Sequence, residues 1–560
     1  MYIRVTKNSA GQKYFHLVES FRDEGKVRQR ILLSLGRAEE GKLEALSEAL
    51  AKHIDITTAH ELAKTMSVES TYVLGLLLVL KHLFEVLGID AALRVAQESH
   101  PRLEFSLEKV IFALVAARFL RPTSKLQIYE ELAGKFYPAM VEQDMELQHI
   151  YRAVDLLAEH KEAIEKALFW KDKDLLNSKV DVVLYDLTTL RFESTREDLG
   201  SLRRFGFSKE KCSDCTQVVL GLLVEPNGTP IGFEVYPGNT FEGATLKDIV
   251  GKMREKYNIG RFIFVADRAL FSHQNLEDLR KANGEFVVGM RLVPVAKKRP
   301  ELYDKSKFTP LKKDDDSVLV LETTHGGDRC IVNWSRERAE RDRKVRDDIL
   351  EKIRKKLTKK TISSKAFVTN SNYTYFLNGL DEGTPALDET KIAEAAKRDG
   401  FFSIITNVKD KTPSELWSQY RQLWIIEDSF GELKGTMKAR PIFHWTDDRI
   451  RGHLMMCFLA LACESRMTIA LRAANTARDS KAIREGVIGD RPLSAAQTLK
   501  ELCEVRAIPV QLKNQTIWLR TDINGHVAKL FASLKIRIPP KVLQKVENVV
   551  AQTQGTSLTT

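Results

Sequence analysis

Three acidic residues stand where they could hold divalent metal. Asp186 closes the apolar run in "KVDVVLYDLTTL", Asp267 closes "RFIFVADR", and Glu427 lies within "SELWSQYRQLWIIEDSFGELKGTM". Hard cations prefer oxygen ligands, and Mg²⁺ takes one or two carboxylates while keeping water and substrate phosphate in its other positions. Two such ions roughly 3.5–4 Å apart activate the attacking oxygen and stabilise the leaving oxygen in displacement at a phosphodiester. Tyr420, Glu427 and Lys434 follow one another at steps of seven residues. Seven helical residues turn about 700°, which returns to nearly the same face. The acid is thus lined up with a phenol before it and an amine after it. The lysine would meet a phosphate as a point charge, and the tyrosine would hydrogen-bond a phosphate oxygen. Asp428 lies about 100° and Glu432 about 140° away on the helical wheel, so both rank below Glu427. Taken singly, such a stripe is usually a solvated face and a strand-end Asp a turn or cap residue.

This chemistry needs two neighbouring strands for the aspartates and a helix beside the sheet for the glutamate. The pattern from residue 179 supplies them. "KVDVVLYDLTTL" reads as a strand ending at its acid, and "TQVVLGLLVEPNGTPIGFEVYPGN" as a hairpin around Pro226 to Gly228. A helix over 243–257, the strand "RFIFVADR", a helix over 272–283 and the strand "EFVVGMRL" follow. Three strands, helix, strand, helix, strand is the order of an α/β ribonuclease-H-like core with a mixed five-stranded sheet, in which the first and fourth strands are neighbours. Residues 291–411 interrupt that core and are too long for a structureless loop, so they read as an inserted, β-containing domain. They hold Lys297, Lys298, Arg299, Trp334 and a charged helix from Arg336 to Lys360 with twelve basic and six acidic residues, which could track backbone phosphates. Thr412-Pro413 starts the glutamate's helix.

The expected organisation is a small β-rich unit with a basic face over 1–40 and a helical DNA-binding region over 41–175. The core's first part spans 176–290, the insert 291–411, the core's second part 412–470, and a C-terminal region 471–560. Arg118, Arg121 and Lys125 in the helical region could face DNA. A chain of 560 residues is long enough for three to four domains. With 87 basic against 76 acidic residues its formal charge is +11, which favours a polyanionic partner. Six cysteines in such a length do not make a disulfide framework and fit a reducing compartment. Cys212 and Cys215 form a lone CxxC without the second pair that a zinc site would need. No N-terminal signal pattern precedes the first segment. The run Tyr72 to Leu80 is broken by Lys81, and Leu454 to Cys463 spans ten residues. Neither is expected to cross a bilayer, so the chain is expected to be soluble and cytoplasmic, with no membrane partner.

On the segments "YDLTTL", "QVVLGLLVEPNGTPIGFEVYPGNTFEG", "FVADRALFS", "YRQLWIIEDSFGELK" and "ARPIFHWTDDRIRGHL" the chain resembles bacterial insertion-sequence transposases of the DDE superfamily. Within these it resembles the branch with a YREK signature and a domain inserted before the catalytic Glu. The likeness covers about 180–290 and 395–460, and extends more weakly to "RVTKNSAGQKYFHLVES". It implies that Asp186, Asp267 and Glu427 are the catalytic, metal-binding triad, and that Tyr420 and Lys434 are the signature's Tyr and Lys. The signature's Arg, three residues after the Tyr, is here Leu423, with Arg421 beside the Tyr instead.

The resemblance implies Mg²⁺-dependent endonuclease chemistry with two ions, Mn²⁺ substituting. It also implies double-stranded DNA partners, namely the element's inverted-repeat ends and target DNA, bound by at least a homodimer in a nucleoid-associated complex. Tyr420, Arg421, Lys434 and Arg268 are expected to touch DNA, as is Trp334, since related enzymes stack an aromatic from the insert on an unpaired base. His444, Arg449 and His453 stand just beyond the catalytic helix, where packing and surface roles are the commoner ones. The expected activity is cut-and-paste transposition and DNA recombination. The alternatives are a ribonuclease-H-like nuclease without strand transfer and a DNA-binding protein that has lost catalysis.

Overall fold

The computed structural model describes residues 2–23, 26–39, 42, 45, 66–67, 70–171, 182–197, 200–207, 214–257, 261–268, 272–281, 284–312, 315–358, 371–379, 385–485, 495–512 and 515–543. The chain divides into a small unit, Met1–Thr71 with Ile508–Arg520 and Lys541–Lys545, and a large unit holding the remainder. Cys212 lies outside the described residues, and so does the CxxC expectation.

The small unit opens with an antiparallel meander of β1 (Tyr2–Lys7), β2 (Lys13–Asp23) and β3 (Lys26–Arg37), followed by the short β4 (Met66–Ser67). The first turn forms because the Asn8 carboxamide oxygen accepts from the backbone N–H of Ala10 (3.1 Å) and Gln12 (2.9 Å), while Gly11 takes φ +77°.

The large unit begins with β5 (Tyr72–Val73) and a helical stretch whose longer helices are α1 (Gly75–Leu87), α2 (Ile89–Glu98), α3 (Leu107–Leu120), α4 (Leu147–Glu159) and α5 (Lys161–Lys171). These helices belong to the same compact unit as the sheet that follows. Two of their cations do not face solvent. Arg118 and Lys125 are buried, Arg118 donating to the carbonyl oxygens of Met437 (3.3 Å) and Thr123 (3.4 Å). Only Arg121 of the three expected DNA-facing cations is exposed, and it pairs with Glu131.

The core elements come in the expected order: β6 (Val182–Arg191), β7 (Gln217–Val224), β8 (Pro230–Pro237), α6 (Thr245–Tyr257), β9 (Ile263–Ala266), α7 (His273–Lys281) and β10 (Glu285–Met290). β7 and β8 form the expected antiparallel hairpin, turning where Gly228 takes φ +97°. β6 pairs parallel with β9, and β9 with β10. The sheet is larger than the five strands expected. The segment after β10 adds β11 (Thr309–Lys312), β12 (Asp315–His325) and β13 (Asp328–Ser335). It then forms α8 (Arg336–Leu357), the two-residue strands β14 (Leu377–Asn378) and β15 (Ala386–Leu387), α9 (Glu389–Ala396) and β16 (Phe401–Thr406). β16 pairs antiparallel with both β10 and β13, giving one nine-stranded mixed sheet in the order β11-β12-β13-β16-β10-β9-β6-β7-β8. Within residues 291–411, β11, β12, β13 and β16 therefore extend the core sheet, while β14 and β15 pair with each other. Beside it, α8 and the region of β14 and β15 bury a small cluster of Leu350, Ile353, Phe376 and Leu377.

Strands buried on both faces read as continuous apolar runs, and β7 is buried at every position. On one face Val183, Tyr185, Leu187, Phe264, Phe286 and Val288 pack with Leu246, Ile249, Met253, Leu276 and Leu279 of α6 and α7. On the other, α10 (Pro413–Arg421) packs on β9 and β10, and α11 (Leu423–Gly431) on β6 and β7. The 39-residue α12 (Asp447–Glu485) packs on β8, α3 and α4. Its stretch Asp447–Asn475 is long and apolar enough to span a bilayer, which the ten-residue apolar run did not suggest, and 72% of that stretch's most apolar window is buried inside the fold.

Candidate active site

The pleat decides which acids meet. Successive side chains on a strand point to opposite faces. Tyr185 and Leu187 belong to the core beneath α6 and α7, so Asp186 between them points to the face covered by α10 and α11. Phe264 and Ala266 belong to the same core, so continuing the alternation sends Asp267 to that second face too. The register of β6 and β9 pairs Tyr185 with Ala266. One step further sets Asp186 level with Asp267, on strands about 4.8 Å apart. Asp186 is half-buried and Asp267 exposed.

The structure corrects one detail of the sequence reading. Asp186 does not end its strand. β6 runs on to Arg191, because Leu187 to Arg191 continue to pair with β7, down to Arg191 opposite Gln217. Only Asp267 directly follows a strand end.

Glu427 comes from α11, the helix lying on β6 and β7, and is exposed. The expected single helix is instead three pieces. A capping box between Thr412 and Glu415, with Pro413 at the first turn, starts α10. A tight turn at Gln422 separates it from α11, and a π-turn over Glu432–Thr436 follows. Tyr420, Glu427 and Lys434 thus sit on three successive segments, and the constant 100° step does not carry across them. Leu423 is buried where α11 begins, while Arg421 is exposed at the end of α10. Asp428 reaches Arg472 of α12 at 3.8 Å.

Tyr420 makes a contact that the sequence did not suggest. Its hydroxyl donates to Asp267 Oδ1 at 3.1 Å, and the Arg268 backbone N–H donates to the same oxygen at 2.7 Å. Burial first, and the Asp267 charge second, hold the Tyr420 hydroxyl far above the usual tyrosine range, so it remains a donor. The ring is fixed by Phe402 (centroids 5.1 Å apart) and by stacking with Trp417 (6.0 Å). Gly289 of β10 makes this possible. A Cβ there would lie 2.5 Å from the Tyr420 hydroxyl and 3.1 Å from the Arg268 nitrogen. Its sequence signal is a lone glycine inside an apolar strand, which often marks a close approach by a neighbour.

The three carboxylates are an all-oxygen donor set carried by three elements, which fits a hard divalent cation. They are not among the described groups whose ligand atoms all lie within 4.8 Å of one another.

Other expected residues lie apart. Trp334 pairs in register with Phe401, a member of the core under α6 and α7, and packs against that core itself. Phe402, the next residue, points to Tyr420. Trp334 therefore sits on the sheet face opposite the carboxylates. Its indole N–H donates to the Asp399 carbonyl at 3.1 Å, and Lys305 Nζ lies 3.8 Å from the ring centroid. It lines a cleft of about 700 Å³ with Tyr303, Lys305, Arg336, Arg343 and Lys397. His444 and His453 are buried. Lys125 Nζ donates to His453 Nδ1 at 2.6 Å, and His453 Nε2 donates to the Ala439 carbonyl at 3.2 Å. Burial, then the nearby cations Lys125, Arg449 and Arg118, hold His444 down at about 3. Arg449 bonds Asp155 at 3.2 Å and lies over the Tyr151 ring. These three residues pack α12 against the helical layer.

Residues 177–463 match the transposase DDE domain family, and residues 3–60 match the N-terminal domain of the IS1634 family of transposases. No curated protein matches the chain. The first match covers just over half of the chain and spans β6, β9 and α11 with their three carboxylates. The chain belongs to the DDE transposases of bacterial insertion sequences.

Proposed function

We propose that Asp186, Asp267 and Glu427 hold two Mg²⁺ ions, for which Mn²⁺ can substitute, and that the enzyme moves its element by cut-and-paste. The observation carrying this reading is the shared sheet face. By parity and register both aspartates fall on the sheet side against which α11, the helix carrying Glu427, packs, and this supports the reading. A DDE transposase acts on DNA and uses divalent metal. Bound ions would supply activation of the attacking oxygen and charge neutralisation at the scissile phosphate.

The chain's own residues supply the positioning. Tyr420 and the Arg268 N–H hold Asp267 by one oxygen, which orients the carboxylate and leaves Oδ2 for a cation. Arg268 and Arg421, both exposed, and Lys434 on the π-turn are the cations set to meet DNA phosphates. In the first step water attacks the phosphodiester at an element end, releasing a 3′-OH. In the second that 3′-OH attacks a target phosphodiester, joining one bond as another breaks. Both are in-line displacements at phosphorus by oxygen, so one constellation serves both.

Synapsis of two ends requires at least a homodimer on double-stranded DNA. End recognition falls to the N-terminal 175 residues, with the +11 charge adding salt-sensitive affinity. The segment 291–411 is the insertion preceding the catalytic Glu. Trp334 is left outside the DNA-contacting set, since Lys305 already covers its ring on the far face of the sheet.

The test uses a plasmid carrying the gene with its native flanking DNA, a second plasmid as target, and purified full-length protein in Mg²⁺. Excised element and joined target molecules are expected. Cleaved ends that never join the target would make the protein a nuclease without strand transfer. End binding with no cleavage would make it a DNA-binding protein alone.

A further inference from the structure

We propose that His100, Glu159 and His160 form a second metal site, for a borderline transition-metal ion of the Zn²⁺ type, built from residues outside the carboxylate face. His100 stands two residues beyond the end of α2. Glu159 is the last residue of α4, and His160 is the junction between α4 and α5. One ligand atom from each lies within 4.8 Å of the other two, the one such group among the described residues. His100 Nε2 is 3.3 Å and His160 Nε2 3.8 Å from Glu159 Oε1. The imidazole rings meet edge to face with centroids 5.3 Å apart.

The surroundings of His100 suit coordination. Its Nδ1 lies 3.1 Å from the Ala96 carbonyl and 3.0 Å from the Ser99 hydroxyl, so with an ion bound Nδ1 can donate to that carbonyl while Nε2, the nitrogen beside Glu159, turns its lone pair to the metal. A metal-ligating histidine almost always donates its other N–H in this way, which fixes the ring and raises the ligand's basicity. Ser99 completes the surroundings. Its hydroxyl donates to the same carbonyl at 2.7 Å and lies 3.4 Å from His160 Nε2.

Two imidazoles and one carboxylate are the ligand set that Zn²⁺ accepts with a water in the remaining position. Imidazole nitrogen favours Zn²⁺, Ni²⁺ and Cu²⁺, whereas all-oxygen sets favour Mg²⁺ and Mn²⁺. The two sites therefore select different ions from the same solution. Without an ion, the cluster is a partly exposed His–Glu contact, a kind that adds little stability. With one, it clips the end of α2 to the α4–α5 corner. The next residue, Lys161, bonds Glu165 and Glu234 at 3.0 Å each, tying that corner to β8 at the edge of the core sheet. An ion bound only by the folded chain raises its stability by mass action.

The experiment uses the full-length chain, stripped with chelator and held in excess Mg²⁺ so that the carboxylates stay saturated. Zn²⁺ is then titrated by calorimetry and thermal shift, and Co²⁺ by visible absorption, for wild type, His100→Gln, His160→Gln and Glu159→Gln. Losing an outer partner of a ligand already costs about 10–100-fold in affinity, so each variant should lose at least that much. Wild type should bind one more Zn²⁺ than the variants, melt higher with Zn²⁺, and show tetrahedral Co²⁺ bands that the variants lack. Metal-free melting should be alike in all four chains. If a histidine variant fails to fold, Glu159→Gln decides by the same readings. Equal Zn²⁺ stoichiometry and equal thermal shifts in wild type and the folded variants would overturn the proposal.

Discussion

The two faces of the central sheet are made by alternate residues of the same strands, yet they do different things. The face under α6 and α7 is built mainly of apolar side chains, and the Tyr185 hydroxyl there donates to Thr245 at 2.9 Å. On the face under α10 and α11 the same strands present Asp186 and Asp267, and a glycine where a bulkier residue would displace Tyr420. The difference teaches that the site is a matter of parity. A one-residue slip would bury both acids in the core and send Tyr185 and Phe264 to the reacting side.

The largest effect should come from removing an acid. Asp186→Ala, Asp267→Ala and Glu427→Ala are each expected to bring cleavage of element-end DNA to background, leaving end binding and the thermal midpoint near wild type. Cleavage and gel-shift assays on the same preparations check this. Phe264→Ala, one position off in parity, should do the reverse. Phe264 is fully buried, so the change should cost about 3–5 kcal/mol of stability in denaturant titration while the folded fraction still cleaves. Comparable loss of stability in both variant sets would collapse the distinction between the faces.

Gly289→Ala probes the carboxylate face without touching a carboxylate. The new Cβ would push the Tyr420 hydroxyl away from Asp267, and displacement on the scale of 1 Å costs about 10²-fold in rate. Tyr420→Phe should cost less. The double variant should lose most of the Gly289→Ala effect, since no hydroxyl remains to displace, and what is left should reflect the Arg268 nitrogen 3.1 Å from the added Cβ; a Gly289→Ala effect undiminished in the double variant would mean that Gly289 acts elsewhere. Trp334→Ala, on the far face, should leave cleavage within about twofold while lowering stability by about 1–3 kcal/mol. A large loss of cleavage at unchanged stability would return Trp334 to the DNA-contacting set.

A separate effect concerns pH. His444 is held down at about 3 in the folded chain against an ordinary 6.5. The unfolded chain therefore binds the proton first, and stability falls as pH drops from about 6.5 toward 3. His444→Gln should make that part of the profile shallower in melts taken across the window, leaving the slope that His453, also held down by burial, contributes. An unchanged profile would show that His444 does not carry it.

Much of this was legible in the sequence because it rests on local pattern. Apolar runs, the Pro-Asn-Gly turn and the Thr412-Pro413 start located β6 to β10 and α10, with Asp186 on β6, Asp267 just after β9 and Glu427 on α11, the helix after α10. What was not legible depends on distant pairing. Nothing in the periodicity of residues 309–335 says that β13 will join β16, which itself joins β10, so the segment read as a separate domain. The end of β6 was misplaced because an acid inside a strand looks like a stop until its partner β7 is known. The break at Gln422 carries no glycine or proline signal, whereas Gly431 and Gly435 flank and enter the π-turn without marking which kind of turn it is. Arg118 and Lys125 looked like surface cations, since only the packed fold shows the carbonyls and the imidazole that receive them.

The central claim is that three segments distant in sequence surround one pair of ions. Fe²⁺ with ascorbate and peroxide, added to the full-length chain carrying His100→Gln and His160→Gln, cuts the backbone beside bound iron, and sequencing the fragments maps the site. Cuts near residues 186, 267 and 427 are expected together, all suppressed by excess Mg²⁺ and all lost in the further Asp186→Asn variant. Cuts confined to one of the three segments, or cuts there that persist in Asp186→Asn, would contradict the shared site.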